Sequence, residues 1–232
     1  MRLIDQSSTY DEFVKHYVAV DCVIFGYEDD VLKLLLYPRS FEPSLGNWSL
    51  MGGFVRENES MDKAALRVLK QTVGLDKIYL EQVQGFSEPD RDPGGRVISM
   101  AYYALIRIDQ HDKDLVRKHG AHWWPITELP PLIFDHTQMV TKALERLQRK
   151  ASLDLVGKEL LPDMFTLTQL HNLYNAIFQR QFDAGNFRKK IASVNLLERT
   201  LYKDTSGSKR GAFYYKFKRI ANSENTDRIV KI

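Results

Sequence analysis

Cysteine is nearly absent from this sequence, and long apolar runs are missing. The single cysteine, Cys22, excludes an internal disulfide and any zinc site built from cysteines. Cys22 lies in an apolar run, which favours a buried, unreactive thiol over a nucleophile. No stretch approaches the roughly 18 apolar residues that a membrane span needs, and residues 1–8 are polar, unlike a signal peptide. We therefore expect a cytoplasmic protein that makes no contact with a membrane.

The net charge is small but unevenly distributed. The 232 residues include 33 Lys and Arg against 30 Asp and Glu, a balance of +3. Residues 1–150 hold 19 basic and 22 acidic residues, a balance of −3, whereas residues 151–232 hold 14 and 8, a balance of +6. Taken alone, such a basic segment is more often a solvated surface, but it also suits a polyanionic partner. We expect two domains, residues 1–151 and residues 152–232.

Residues 52–75, GGFVRENESMDKAALRVLKQTVGL, predict a glycine turn, a loop and one amphipathic helix. Ser60 is placed to cap the start of the helix, and Gly74 is placed to end it. Apolar residues recur at helical spacing and predict one buried face. That face comprises Met61, Ala64, Ala65, Val68, Leu69 and Thr72.

This stretch resembles the Nudix box, and the spacing fits without a gap. The matching residues are Gly53, Glu59, Arg67, Leu69, Gly74 and Leu75. The family places three glutamates on the helix after the arginine, where this chain has Val68, Gln71 and Thr72. Mg²⁺ requires anionic oxygen ligands, which these side chains lack. We therefore expect a protein that retains the Nudix fold but has no bound metal, no cofactor and no catalytic residues. The alternative that stays open is a hydrolase with unusual metal ligands.

Strands flank the box helix and a second helix follows them. Residues 18–27 and 31–37 predict a hairpin, because the first run is β-branched and aromatic and EDD makes a turn. Further strands are predicted at 48–55, 78–86, 96–109 and 122–124, with a helix over 135–150. Trp48, Trp123 and Trp124 offer a ligand-stacking platform, but core packing is the more common role and is favoured for the Trp123–Trp124 pair. This order predicts an α/β (α+β) fold, a Nudix-type α/β/α sandwich followed by a second domain.

The basic segment predicts a winged helix-turn-helix. A helix beginning at Thr166 or Thr168 and a second helix capped by Asn186 are joined by a Gly-containing turn. Strands over 196–202 and 212–217 flank a basic turn and form the wing. A basic helix with a basic wing tip favours duplex DNA over a protein partner. The residues expected to contact DNA are Thr166, Thr168, Gln169, Asn186, Arg188, Lys189, Lys190, Lys209, Arg210 and Tyr214.

Taken together, the chain resembles the Nudix-related transcriptional regulators, in which a degenerate Nudix domain precedes a winged helix. The resemblance rests on residues 53–75, LPDMFTLTQLHNLY, DAGNFRKKI and the wing at 205–217. It implies a homodimeric repressor on a palindromic operator with a small effector in the Nudix domain. Within that family the chain looks closest to the L-arabinose-responsive regulators, which implies L-arabinose and control of sugar-utilisation genes. The alternative is ADP-ribose and control of NAD metabolism.

The effector is expected to bind at loop residues and at one aromatic side chain. Loop positions and an aromatic side chain suggest Arg39, Trp48, Glu59, Asp90 and Arg91. A solvated turn is an equal alternative for the Asp90 loop. Single-stranded RNA binding or protein scaffolding stays open as a second role for the basic domain.

Overall fold

The computed structural model describes residues 13–74, 78–109, 113–206 and 211–218. The strands are β1 (Tyr17–Glu28), β2 (Val31–Pro38), β3 (Trp48–Ser49), β4 (Met51–Phe54), β5 (Tyr79–Phe86), β6 (Val97–Arg107), β7 (His122–Pro125), β8 (Phe165–Thr166), β9 (Leu197–Asp204) and β10 (Ala212–Phe217). The helices are α1 (Met61–Val73), α2 (Lys113–Lys118), α3 (His136–Leu153), α4 (Leu167–Phe178) and α5 (Ala184–Val194). None of the helices within these ranges is both long and apolar enough to cross a membrane.

The N-terminal domain is built on a mixed seven-stranded sheet. Five strands follow the order β3-β2-β1-β6-β5, while β4 pairs with β1 and β7 pairs with β2. The central pair, β1 and β6, runs parallel over eleven residue pairs. Parallel strands at the centre of a sheet are covered on both faces, which explains the continuous apolar run of β1. The sequence-based prediction of an α/β/α sandwich is confirmed.

Alternate residues of β1 face two separate cores. Val20, Cys22 and Ile24 pack towards α1. Val23 and Phe25 pack towards α3. A strand directs successive side chains to opposite faces, so Asp21 points to the same side as Val23. A carboxylate on this side of a buried strand has to find polar partners beneath the sheet.

A strand break and an additional short helix differ from the prediction. The predicted strand over 48–55 is interrupted at Leu50, whose backbone N–H turns away from the sheet and donates to Nδ1 of His136 at 3.1 Å. The short helix α2 was not predicted, since six residues give too few turns for a clear period. The predicted hairpin turn between β1 and β2 is confirmed, with Asp29 and Asp30 both at positive φ.

The C-terminal domain pairs α4 and α5 with the three-stranded sheet β8-β10-β9. Thr166 caps α4, and its side chain and that of Gln169 form a reciprocal capping box. The prediction that Asn186 caps the second helix is wrong. The helix begins at Ala184, because the carboxylate of Asp183 accepts the backbone N–H of Asn186 at 2.7 Å and is the cap. The winged helix-turn-helix is otherwise confirmed.

One apolar core runs through both domains. It joins residues of β1 and α3 to Leu170, Leu173 and Ile177 of α4. Two hydrogen bonds reinforce the junction: Asn172 Nδ2 donates to Asp30 Oδ2 at 2.8 Å, and Gln148 Nε2 donates to the Ile177 carbonyl at 3.0 Å. The predicted domain boundary at residues 151 and 152 falls in the last turn of α3 and stays a prediction.

Candidate effector pocket and nucleic-acid interface

A cleft of about 170 Å³ opens on the α3 side of the sheet. It lies where β1, β2 and β4 meet the loops before β3 and before β6, and where the chain enters α3. Four stretches far apart in the sequence therefore contribute to it. Its polar and aromatic lining includes Asp21, Tyr37, Arg39, Phe41, Ser49, Arg91, Asp92, Phe134 and His136.

The floor of the cleft is a buried charge network. Arg91 donates to both carboxylate oxygens of Asp135, at 2.8 and 2.7 Å. Asp21 accepts a hydrogen bond from Ser99 Oγ at 2.6 Å and lies 3.9 Å from Arg91. Gly52, paired with Asp21 in register, leaves room for this carboxylate, since a Cβ there would lie 2.3 Å from Asp21 Oδ1. The network holds two carboxylates around one guanidinium under the cleft.

His136 joins the network as a neutral ring. Burial lowers the pKa of its imidazole below the ordinary value, although Asp21 and Asp135 act in the opposite direction. Nδ1 accepts from the Leu50 backbone N–H, so the ring proton is on Nε2. Nε2 faces Asp21 Oδ1 at 3.8 Å. The ring thus connects the β3–β4 break to the charged floor.

The mouth of the cleft combines one cation with two aromatic rings. The Arg39 guanidinium carbon lies 4.0 Å from the centre of the Phe41 ring and 5.1 Å from that of Phe134. Phe134 has a φ of 50°. That left-handed conformation costs a residue with a Cβ roughly 1–2 kcal/mol. An aromatic side chain kept there at such a cost is typical of a functional site.

The structure brings two of the five predicted effector residues to this cleft, Arg39 and Arg91. Trp48 lies elsewhere, with its ring 5.4 Å from that of Trp124 in the core. Asp90 stays in an exposed turn, and Glu59 is committed to Arg67. The sequence-based reasoning missed several lining residues. Asp21 had a signal, a charge inside an otherwise apolar strand, whereas Phe41, Phe134 and His136 had none.

Glu59 of the box loop is engaged in a bidentate ion pair. Arg67 Nε and Nη2 donate to its two oxygens at 3.0 and 2.5 Å. The Arg56 backbone N–H donates to the same carboxylate at 3.0 Å, and Arg67 also reaches the Phe54 carbonyl. These bonds fix the loop between β4 and α1. The carboxylate therefore holds the loop in shape and has few lone pairs left for a metal ion.

The three box positions where hydrolases carry glutamates do not fit Mg²⁺. Val68 and Thr72 are buried, and the Thr72 hydroxyl donates to the Val68 carbonyl. Gln71 is exposed and offers a neutral amide oxygen. Throughout the described ranges, no three His, Cys, Asp or Glu side chains lie close enough together to hold a metal ion. A hard dication prefers several anionic oxygens, so this helix does not supply its usual site.

The Glu59–Arg67 pair predicts a defined pH dependence of stability. Hydrogen bonds from Arg67 lower the pKa of Glu59 from 4.5 to about 2. A carboxyl whose pKa is lower in the folded state stabilises the protein above the unfolded pKa and loses that effect as pH falls through the folded pKa. We expect Glu59→Gln to be less stable than the wild type at pH 7. The difference should vanish between about pH 4.5 and about pH 2, measured by thermal unfolding of both proteins; a difference that does not change with pH would contradict this assignment.

The second helix of the helix-turn-helix, α5, presents a basic face. Phe187 and Ile191 are buried against α4, with the Phe187 ring 5.3 Å from that of Tyr174. Asn186, Arg188 and Lys189 are exposed, and Lys190 is half-buried. The apolar residues therefore fix the orientation of α5 and turn its polar residues outwards.

The remaining predicted DNA contacts lie around the start of α4. Thr168 is exposed and Gln169 is half-buried, while Thr166 is buried with its hydroxyl accepting the Gln169 N–H. Tyr214 on β10 pairs in register with Thr166 and is half-buried. Lys209 and Arg210 lie outside the described residues.

Comparison with known proteins matches both domains. Residues 15–144 match the NUDIX domain and residues 157–217 match the NrtR DNA-binding winged helix domain. NrtR of Shewanella oneidensis, solved in complex with a 27mer DNA, is 33% identical with a TM-score of 0.78. The match covers 87% of this chain and 93% of that one.

Two further relatives extend this match. The ADPR responsive transcriptional repressor NtrR of Acinetobacter baylyi is 31% identical over 204 residues, which are 86% of this chain and 81% of the relative. An ADP-ribose pyrophosphatase of Methanocaldococcus jannaschii is 35% identical over 123 residues, which are 53% of this chain and 70% of the relative. The comparisons do not support the expected closeness to the L-arabinose-responsive regulators. This chain belongs to the family of NrtR-type regulators, in which a NUDIX domain precedes an NrtR DNA-binding winged helix domain.

Proposed function

We propose that this protein is a transcriptional repressor that binds a palindromic operator as a homodimer and releases it when ADP-ribose occupies the cleft. The observation that carries the proposal is the cleft itself, where Arg39, Phe41 and Phe134 stand above a buried charged floor. The relatives support it, because one is named as an ADPR responsive repressor and another as an ADP-ribose pyrophosphatase.

The chemistry of the cleft favours ADP-ribose over L-arabinose. ADP-ribose offers a flat adenine, a diphosphate carrying negative charge and two riboses rich in hydroxyls. Aromatic rings stack on a base, and a guanidinium suits a phosphate. A pentose such as L-arabinose carries neither a phosphate to pair with Arg39 nor a flat base to stack on Phe41 or Phe134. We therefore propose ADP-ribose, the alternative of the sequence-based prediction, in place of arabinose and sugar-utilisation genes.

The DNA-binding surface that we propose centres on α5. Asn186, Arg188, Lys189 and Lys190 would enter the major groove, as the second helix of such motifs does. Thr168 and Gln169 would bind phosphate at the start of α4, with Tyr214 on the neighbouring strand β10. Lys209 and Arg210, the basic residues of the wing sequence, are proposed to bind DNA phosphates as well. Thr166 is left out, because its buried hydroxyl already caps the helix.

We further propose that the N-terminal domain senses its ligand without hydrolysing it. The side chains of Val68, Gln71 and Thr72 provide no anionic oxygen, so water activation by a bound metal ion lacks its ligands. The carboxylate that remains, Glu59, is engaged by Arg67. The rival is slow turnover of ADP-ribose, which the resemblance to a pyrophosphatase favours.

A physical path connects the cleft to the DNA-binding domain. Asp135 binds Arg91 in the floor and immediately precedes α3. Further along α3, Gln148 donates to the Ile177 carbonyl at the end of α4. A ligand changes the DNA affinity when it binds one arrangement of these elements better than another. We propose that ADP-ribose shifts α3 through Arg91 and Asp135, and that α4 and α5 follow.

Release of DNA by ADP-ribose is the expected result that tests this proposal. Fluorescence anisotropy of labelled duplex from upstream of the neighbouring genes should rise on addition of protein and fall on addition of ADP-ribose. L-arabinose at the same concentration should leave the signal unchanged. Release by L-arabinose instead, or no binding beyond that of an unrelated duplex, would contradict the proposal.

The same samples separate sensing from catalysis. ADP-ribose incubated with protein and Mg²⁺ should yield no AMP beyond a protein-free control. Formation of AMP at a steady rate would establish the hydrolase. Single-stranded RNA that competes as well as duplex operator would indicate the RNA-binding alternative.

A further inference from the structure

We infer that Arg39 supplies the positive charge that holds the diphosphate of the effector, in place of the divalent cation that the box helix cannot bind. The inference rests on the proposed function and names the side chain on which recognition of the diphosphate depends. It concerns a residue outside the box, on the loop between β2 and β3.

The backbone holds Arg39 at the neck of its loop. Its N–H donates to the Asn47 carbonyl at 2.9 Å, and its carbonyl accepts from the Gly46 N–H at 2.8 Å. The side chain is held as well, because Nε donates to the Phe41 carbonyl at 3.1 Å and the guanidinium lies against the rings of Phe41 and Phe134. A cation fixed in this way loses little conformational freedom when a ligand binds.

The terminal nitrogens of Arg39 are left for a ligand. Within the part of the chain that the structure describes, no carboxylate forms a salt bridge with Arg39. Arg91, which also lines the cleft, is already engaged by two hydrogen bonds to Asp135, and Arg67 of α1 binds Glu59 likewise. Arg39 therefore offers two planar N–H₂ groups at the cleft mouth, the arrangement that binds phosphate oxygens in pairs.

The charges around the cleft require such a cation. Asp21 and Asp135 share the single positive charge of Arg91, which leaves the floor with an excess negative charge. Asp92 also lines the cleft, and its Oδ1 accepts the Gly94 N–H. Carboxylates suit ribose hydroxyls and repel phosphates. A diphosphate is therefore expected at the mouth beside Arg39, with a ribose directed towards the carboxylates.

The test compares ligands that differ in phosphate content across matched variants. Isothermal titration calorimetry would measure the binding of ADP-ribose, ADP and adenosine to wild type, Arg39→Ala, Arg39→Lys and Arg56→Ala, with EDTA and with Mg²⁺. Arg56 is an exposed arginine of the same domain that does not line the cleft, which makes it the control. Thermal unfolding of each variant would check that the fold is retained.

Wild type and Arg56→Ala should bind ADP-ribose equally well with EDTA and with Mg²⁺. Arg39→Ala should lose about 10- to 100-fold in affinity for ADP-ribose and ADP, the effect of one or two charge-assisted hydrogen bonds, and little for adenosine. Arg39→Lys should recover part of the loss, since a lysine keeps the charge without the planar fork.

Two results would overturn the inference while leaving ADP-ribose as the effector. The first is Arg39→Ala binding ADP-ribose as tightly as wild type does. The second is binding by wild type that disappears in EDTA, which would show that a metal ion, and not Arg39, holds the diphosphate. If wild type binds no ADP-ribose under either condition, the proposed function fails and this inference fails with it.

Discussion

Replacing Arg188 and Lys190 together with alanine is expected to weaken operator binding by at least about 30-fold, with the unfolding temperature unchanged. A base contact or a phosphate contact of this kind contributes on the order of 1–3 kcal/mol, and two of them add when they act independently. The fold should survive, because the side chains that fix α5 are Phe187 and Ile191 on its other face. Anisotropy titrations at two salt concentrations would measure both the affinity and its salt dependence.

The matched control removes the same charge elsewhere. Arg56→Ala combined with Lys63→Ala takes two exposed cations from the N-terminal domain. It should change operator affinity by less than about threefold, since charges far from the interface are largely screened. If the α5 variant also changes affinity by less than threefold, α5 is not the helix that reads DNA.

Replacing Asp135 with alanine is expected to lower the free energy of unfolding by about 3 kcal/mol. The change strips the bidentate partner from Arg91, whose side chain is 3% exposed. Leaving a buried charge without its partner costs roughly 3–5 kcal/mol. The lower end of that range is expected because Asp21 remains 3.9 Å from Arg91. In thermal unfolding this corresponds to a fall of roughly 10 °C for a chain of this size.

Two companion variants make the stability result decisive. Glu145→Ala breaks the exposed pair of Lys142 and Glu145 on the same helix and should cost less than about 0.5 kcal/mol. Arg91→Met combined with Asp135→Ala removes both partners, so it should be more stable than Asp135→Ala alone. A loss at Asp135 no greater than that at Glu145 would mean that the buried network contributes nothing to folding.

Local sequence patterns predicted most of the secondary-structure elements of the fold. The β-branched run of β1, the two aspartates of the following turn and the glycine after α1 each specify backbone conformation within a few residues, and the structure agrees with all three. The wing strands were equally visible, since β9 and β10 flank a stretch rich in Gly and Ser. Short-range preferences act through neighbouring residues, which is why the sequence alone specifies them.

The cleft was harder to foresee, because it is made by distant segments. Phe134 takes part only because Ile133 donates its N–H to the Trp48 carbonyl and turns the chain into α3. His136 lines the cleft beside the break between β3 and β4, where its Nδ1 accepts the Leu50 N–H, and no local sequence pattern predicts that break. Trp48 looked like a ligand platform until the positions of His122 and Trp124 on β7 were known. Nor could a single sequence distinguish the sugar from the nucleotide, since the cation and the two phenyl rings meet only after folding.

The shared core between the domains has a consequence for protein engineering. Helix α4 is the inner helix of the DNA-binding domain, yet it also packs on α3 and bonds to the β1–β2 turn through Asn172. The N-terminal domain and the winged-helix domain therefore cannot be exchanged independently between relatives. A chimera that joins this sensor to the winged helix of a relative would retain a correct turn and wing while losing side-chain fit along α3 and α4. Such a fusion would need the facing surfaces of α3, α4 and the β1–β2 turn to be transferred together. A new DNA sequence specificity is better obtained by exchanging single residues on α5.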